Sequence, residues 1–156
     1  MSVVVALAVR CLLVMLFLPF SALDKMLNFG RALDQAEQAA ASRPLATILV
    51  LGGLGIEIVM SLAVLIGVAD RLAAFVLAAY CVVTAVLWKQ FWKTTDFRLR
   101  GPSQGREVFW DFLKNLAVAG GFLMLTFGPN AAGVRRLIEN PLGSSHPYEL
   151  TDARGG

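Results

Sequence analysis

Four long apolar runs limit the folds open to this chain more than any other feature of its sequence. They cover about residues 3–23, 45–68, 72–91 and 110–127 of the 156. A helix needs roughly 17–25 apolar residues to cross the hydrocarbon core of a bilayer, and each run has such a length. Short connections favour antiparallel packing of successive helices. The pattern therefore predicts an all-α membrane protein, an antiparallel bundle of four transmembrane helices.

The composition agrees with a membrane protein. Apolar residues make up 57% of the chain, whereas a typical soluble domain has about 45–50%. The net charge is +3, but the Lys and Arg residues border the apolar runs and form no separate basic region. The bilayer is therefore the predicted partner, and nucleic acid is not expected. We expect one membrane domain at residues 1–137 and a tail at residues 138–156.

The connection between the first two runs, residues 24–44, carries a helical pattern of its own. Its middle, residues 31–41, consists mostly of residue types that favour helix. Pro44 disfavours helix at Arg43 and so limits this segment. We expect a short helix lying at the membrane surface between helices 1 and 2.

The connection from Trp92 to Phe109 is polar and basic, and it also contains Phe97 and adjoins Trp110. Two interpretations stay open for it. The segment is either a docking surface for a partner or an aromatic-basic loop at the membrane surface. The second is favoured, because Trp residues are common at membrane–water interfaces.

Ionisable residues inside or beside the apolar runs are the candidates for function. Glu57 lies near the middle of the second run, and a charge at mid-bilayer costs at least about 2.5–3.5 kcal/mol. Such groups should face the bundle interior and pair with one another. Helical spacing also places Asp111 on one face with two of these candidates. The candidate buried polar or ligand site consists of Arg10, Asp24, Lys25, Glu57, Lys114 and Asn115.

The residues alone allow two interpretations of this set. It forms a polar pocket for a ligand headgroup or a proton path, or it forms structural ion pairs that fix the helix register. In the second case Arg10 and Lys114 would extend toward the membrane surface.

Several kinds of active site are not expected from the sequence. His146 is the only histidine, so a bis-His haem cannot be built within one chain. Cys11 and Cys81 both lie in apolar runs, and we expect core residues in preference to a disulfide. We find no motif for phosphate binding or hydrolysis. We expect no metal site and no self-contained redox or hydrolytic enzyme, so any electron carrier would be a quinone or a partner's cofactor.

Ordered motifs extend from about Val9 to Leu137. They are Arg10 and Leu23-Asp24-Lys25-Met26-Leu27-Asn28-Phe29 in helix 1, Gly55-Ile56-Glu57, Leu65-Ile66-Gly67 and Arg71 in and after helix 2, and Lys114-Asn115-Leu116, Gly120-Gly121 and Gly128-Pro129 in helix 4. This set resembles the DoxX family of small bacterial and archaeal membrane proteins. The chain departs from that family at Lys89, where relatives often have His, and in its longer third connection.

The resemblance implies a four-helix, multi-pass protein of the bacterial inner membrane, without implying one activity. Some relatives are subunits of a thiosulfate:quinone oxidoreductase, and others are described as membrane partners of soluble enzymes that handle superoxide or sulfur. We therefore expect a membrane subunit or anchor that supports a redox process and contacts quinone. The quinone headgroup would lie among Arg10, Lys25, Glu57 and Asn115, with its ring among Phe17, Tyr80 and Trp88.

The alternative is a non-enzymatic interaction protein that recruits or stabilises a soluble enzyme or a larger membrane complex. It would act with a protein partner or as an oligomer. A small transporter ranks last, because four spans are few for an alternating-access carrier unless it dimerises.

Overall fold

The computed structural model describes residues 3–128 and 132–148. Those residues form helices and connections and contain no strand, so the all-α prediction is confirmed. The α-helices are α1 (Val3–Val14), α2 (Ala22–Leu27), α3 (Phe29–Glu37), α4 (Arg43–Ile66), α5 (Asp70–Trp88), α6 (Gln104–Phe127) and α7 (Ala132–Glu139). A π-helical turn, Leu16–Ser21, joins α1 to α2, and a short 3₁₀ helix, Phe91–Lys93, follows α5.

Four helical segments are long and apolar enough to cross a membrane, as predicted. They are Val3–Leu27, Arg43–Ile66, Asp70–Lys93 and Gln104–Phe127. Two observed boundaries differ from the predicted ones by more than two residues. The first segment continues past residue 23, and the fourth begins at Gln104, six residues before Trp110. The first turns of this helix are polar, so the hydropathy pattern does not show that they belong to it.

The first segment is interrupted at the π-helical turn. Pro19 lies inside this turn, and Leu18 has the non-helical angles φ −120° and ψ 113°. Proline lacks an amide proton and its ring conflicts with the preceding helical turn, which explains a break in this place. Helix continues through Ser21 into α2. The chain therefore carries Ser21 and Lys25 against α4 on a separately oriented stretch of helix.

The predicted helix in the first connection is present as α3. Its apolar side chains Leu33 and Ala36 are buried against Ala46 and Val50 of α4. Its other side is polar and exposed, as expected for an amphipathic helix.

The main core lies between the four long segments. Its central side chains are Val14, Phe17, Val64, Leu77 and Phe122, all buried. Val4 and Ile48 lie on the outer surface, where they are 75% and 66% exposed. Apolar side chains both inside and outside are typical of helices that contact lipid.

Contacts near both ends of α5 and α6 define how these two helices run. The Thr126 hydroxyl, near the end of α6, donates to the Arg71 carbonyl at the start of α5. Lys89, just after α5, contacts Asp111 in the early part of α6. The two helices therefore run in opposite directions.

The C-terminal segment 144–148 folds back over the end where α4 meets α5. The Ser144 hydroxyl donates to the Gly67 carbonyl at 2.6 Å, and the Tyr148 hydroxyl donates to the Leu65 carbonyl. Pro147 lies against Gly67, whose φ of +77° favours glycine. This part of the predicted tail is therefore packed on the helices. The predicted boundary after residue 137 falls within α7.

Candidate functional site

A half-enclosed cavity of about 390 Å³ lies between the first, second and third long segments, with α3 along one side. Eighteen residues line it, and the fourth segment contributes one of them, Asn115. The charged lining residues are Asp24, Lys25, Arg31, Glu57 and Lys89. A volume of a few hundred Å³ is that of an ordinary small-molecule site.

Glu57 is the most buried charged residue of this cavity, with 1% of its surface exposed. Its Oε1 atom accepts hydrogen bonds from the Tyr80 hydroxyl at 2.8 Å, from the Ser21 hydroxyl at 3.1 Å and from Lys25 Nζ. These donors come from two segments of the chain, because Ser21 and Lys25 lie in the first and Tyr80 lies in the third. Because an unpaired buried carboxylate is costly, the convergence explains how Glu57 is tolerated in an apolar helix.

Lys25 and Tyr80 also contact each other. Lys25 Nζ donates to the Tyr80 hydroxyl oxygen at 3.0 Å and lies 5.5 Å from the centre of the Tyr80 ring. The Lys25 side chain is 23% exposed, whereas that of Glu57 is 2% exposed. The ammonium group therefore lies between the buried carboxylate and the open part of the cavity.

The second carboxylate oxygen of Glu57, Oε2, lacks the hydrogen bonds that Oε1 accepts. Oε2 is buried and has no hydrogen-bond partner among residues 3–128 and 132–148, and the same holds for the hydroxyl of Ser61 one turn further along α4. Buried polar atoms normally have a partner. Glu57 therefore keeps one strong acceptor that the described part of the chain leaves unused.

Apolar and aromatic side chains form much of the remaining cavity wall. They are Leu16, Phe17, Leu49, Val50 and Trp88. Phe17 packs edge-on against Tyr80, with 6.2 Å between the ring centres. The Trp88 indole donates to the Gln35 carbonyl at 3.0 Å, which ties α3 to the end of α5. The cavity thus combines a charged inner end with walls suited to a flat, apolar ring.

Seven of the predicted residues line this cavity, and two do not. Those lining it are Phe17, Asp24, Lys25, Glu57, Tyr80, Trp88 and Asn115. Asp24 is exposed and accepts a hydrogen bond from the Asn28 amide. The expectation that Asp24 is a buried member of the set was therefore wrong.

Lys114 is the clearest error in the predicted set. Its side chain is 73% exposed and pairs with Asp111 at 3.2 Å on the same helix. The Asp111 side chain is itself 44% exposed and pairs with Lys89 at 3.1 Å. The i, i+3 spacing correctly places both residues on one face of α6, but Lys114 lies on the outer side of that face and points away from the bundle.

Arg10 is buried, as predicted, but it belongs to a separate cluster. Its guanidinium donates to Asp70 at 2.5 Å, to the Val64 carbonyl at 2.5 Å and to the Ser145 hydroxyl at 2.9 Å. Asp70 also accepts from the Ser145 amide at 2.8 Å. These groups form an ion pair beneath the C-terminal segment, at the other end of the bundle from α3. The prediction that Arg10 belongs to the same site as Lys25 and Glu57 was therefore wrong.

Several residues of both clusters were not predicted. Asp70 lies between the second and third apolar runs, yet it begins α5 and is 2% exposed. Nothing in the sequence indicates that Ser145 would reach it. Arg31 and Gln35 line the cavity because α3 packs along it, and its amphipathic pattern could have suggested that position. Cys81 is buried as expected, but Cys11 is exposed on the outer surface, so its core assignment was wrong.

The third connection forms an ordered surface beside the start of α6. Asp96 accepts from the amides of Gln104 at 2.7 Å and Gly105 at 2.9 Å, and these bonds hold the pKa of its carboxyl below the ordinary value. The Ser103 hydroxyl accepts a hydrogen bond from the Arg106 amide at 3.1 Å and caps the N-terminus of α6. Phe91 packs edge-on against Phe109, with ring centres 5.0 Å apart. The loop is therefore fixed to the helix that follows it.

The fold and the buried charges define a multi-span helical membrane protein with a polar cavity among its helices. The DoxX family model matches residues 5–90, more than half of the chain, so the protein belongs to the DoxX family. The predicted motifs of helix 4 lie outside the matched residues, and that part of the resemblance stays a prediction. No curated protein and no solved structure shows significant similarity to the chain.

Proposed function

We propose that this DoxX protein is a membrane subunit or anchor that supports a redox process and contacts quinone through the cavity at Glu57. It would cross the bacterial inner membrane four times as an antiparallel bundle, with α3 at the membrane surface. The described residues include no group of three or more His, Cys, Asp or Glu placed to hold a metal ion. In this proposal electron transfer itself belongs to a partner protein.

One observation carries this proposal, namely the pairing of Lys25, Tyr80 and Glu57 at the inner end of a cavity with aromatic walls. A structural ion pair requires no adjoining space. Here the pair borders about 390 Å³, and Glu57 still has an Oε2 atom without a hydrogen-bond partner among the described residues. Small-molecule sites commonly combine apolar walls with a few convergent polar groups.

The side chains of the cavity fit the chemistry of a quinone headgroup. Quinone carbonyls accept hydrogen bonds, and Lys25, Arg31 and Asn115 supply donors around the cavity. The reduced form carries hydroxyl groups that donate, and Glu57 supplies an acceptor. Phe17 and Trp88 supply faces or edges for the ring. When bound, quinone would supply the redox chemistry, while these residues would bind and orient it.

Photoaffinity labelling with an azido-quinone tests the proposal on the full chain in mild detergent. We expect labelled peptides from α2, α4 or α5 around the cavity, and competition by a short-chain quinone. Glu57→Gln and Lys25→Ala should reduce this specific labelling, whereas Lys114→Ala, which removes an exposed ammonium group outside the cavity, should not. Unchanged labelling in well-inserted Glu57→Gln and Lys25→Ala proteins would remove the proposal.

A second candidate function is recruitment of a soluble enzyme or a larger membrane complex, without ligand chemistry. The third connection favours it, because Trp92 and Trp110 are 51% and 53% exposed and the same connection carries the exposed residues Arg98 and Arg100. Aromatic residues and Arg are enriched at protein interfaces. Affinity purification in mild detergent should then recover a stoichiometric partner, lost with Trp92→Ala and Trp110→Ala but retained with Glu57→Gln. A lone protein would argue against this function.

A further inference from the structure

A second, smaller cavity lies at the other end of the bundle, beside the C-terminal segment. Its volume is about 210 Å³. It lies where the end of α6 meets α7, the start of α5 and the C-terminal segment. Its lining residues are Arg71, Leu125, Thr126, Phe127, Gly128, Gly133, Arg136 and Ser145.

The charged residues that are known to line this cavity are all basic. Arg71 and Arg136 line it, and none of its described lining residues is acidic. The two nearby carboxylates are already engaged by other arginines, since Asp70 pairs with Arg10 and Glu139 pairs with Arg135 at 2.8 Å. Among the described residues neither Arg71 nor Arg136 forms an ion pair. Two guanidinium groups around one small cavity are therefore available to an anion.

The backbone around the cavity is closely packed. Gly133, in the first turn of α7, lies against the backbone of Phe127, so a Cβ atom there would overlap the Phe127 carbonyl. Glycine in this position lets α7 approach the end of α6 and brings Arg136 beside the cavity. The first turn of a helix also presents unpaired amide groups and a positive dipole end, which favour an anion.

The location indicates which anions can reach the cavity. It lies beside the first residue of the third long segment, Asp70, and the last residue of the fourth, Phe127. This is the level at which lipid headgroups meet a membrane protein, and basic pockets between transmembrane helices bind anionic headgroups. Guanidinium groups match phosphate oxygens particularly well in geometry and charge.

We propose that Arg71 and Arg136 form a binding site for a phosphate group, such as that of an anionic phospholipid or of a soluble phosphate. Thr126 and Ser145 also line the same cavity. This site does not depend on the proposed quinone function, because it shares no lining residue with the cavity at Glu57.

Native mass spectrometry of the full chain from mild detergent tests this site, with three probes added separately. The probes are phosphatidylglycerol, phosphatidylcholine and inorganic phosphate. We expect a single saturable adduct, with phosphatidylglycerol retained in preference to phosphatidylcholine. Arg71→Gln and Arg136→Gln should each weaken binding about tenfold or more, since each loses charge-assisted hydrogen bonds.

Arg135→Gln is the matched control. It removes the same charge from the adjacent position of α7, but the Arg135 side chain is 79% exposed and pairs with Glu139. If Arg71→Gln fails to insert, Arg136→Gln carries the test, because Arg136 is exposed and its loss should not affect folding.

Each outcome decides a part of the proposal. Binding of inorganic phosphate that competes with phosphatidylglycerol, and that is lost in the same two variants, would support the site and assign it to soluble phosphates. Retention of phosphatidylglycerol alone would assign it to lipid. No saturable adduct with any probe, or equal weakening by Arg135→Gln and Arg136→Gln, would overturn the site.

Discussion

The Lys25 ammonium group donates a hydrogen bond to Oε1 of Glu57, although the two residues are 32 positions apart in the chain. One partner lies on the short helix that follows the interruption at Pro19, and the other lies in the middle of α4. Tyr80 contacts both from α5. The pair therefore joins three segments at the inner end of the cavity, and the stability and binding properties of the protein should both depend on it.

Removing only one partner of this pair should be costly. Lys25→Met leaves the buried Glu57 carboxylate without its cation, and breaking a buried pair typically costs about 3–5 kcal/mol. The double variant Lys25→Met/Glu57→Gln should be less destabilised than Lys25→Met alone, because the uncompensated charge is gone. Thermal unfolding in detergent measures the difference. Additive effects of the two substitutions would show that the pair is not coupled.

Gly53 permits Tyr80 to approach α4 at this site. A Cβ atom on residue 53 would lie 3.0 Å from the Tyr80 hydroxyl, whereas one on residue 52 would meet nothing within 4 Å. We expect Gly53→Ala to displace Tyr80 and weaken quinone-analogue binding several-fold. Gly52→Ala, the matched control, should leave binding unchanged and raise helix stability by up to about 1 kcal/mol. Equal binding by the two variants would mean that the position of Tyr80 is unimportant.

The Arg10–Asp70 pair should control the C-terminal segment. Asp70 accepts from both the amide and the hydroxyl of Ser145, and its side chain is 2% exposed. Asp70→Asn should therefore lower stability by about 3 kcal/mol and release residues 144–148, since it leaves Arg10 buried without a counter-charge. Limited proteolysis of the C-terminus reports the release. Glu139→Gln, which breaks only the exposed pair with Arg135, should cause neither change.

Asp96 should make the third connection sensitive to acid. Hydrogen bonds from the amides of Gln104 and Gly105 lower the pKa of Asp96 below its ordinary value of 3.8. Because the folded form binds this proton less tightly, Asp96 stabilises the protein above about pH 4. That contribution is lost as the pH falls through the lowered pKa. The stability difference between wild type and Asp96→Ala should therefore be present at pH 7 and shrink on acidification. A pH-independent difference would contradict this.

The sequence was sufficient to predict the four apolar segments, the helix at α3 and the pairing of Glu57 in the interior. Those follow from run length, helix propensity and the cost of a charge in mid-helix. It was insufficient to predict the partners of the charged residues. Helical periodicity shows which residues share a face of a helix, but it does not show which other helix packs against that face. For this reason the prediction that Lys114 faces the interior was wrong. The prediction that Arg10 lies near Glu57 was wrong because its partner, Asp70, follows a tight turn. Only packing determines the direction in which the chain leaves that turn.

The most direct test of the account uses Trp88, which lines the cavity together with Glu57. Trp92→Phe and Trp110→Phe together leave Trp88 as the only tryptophan of the chain. Titrating this protein with a short-chain quinone should quench its fluorescence along a saturable curve. Adding Glu57→Gln should raise the apparent Kd about tenfold, and adding Lys114→Ala should not change it. Quenching that rises linearly without saturation, and is the same with Glu57→Gln, would contradict the proposal that the cavity binds quinone.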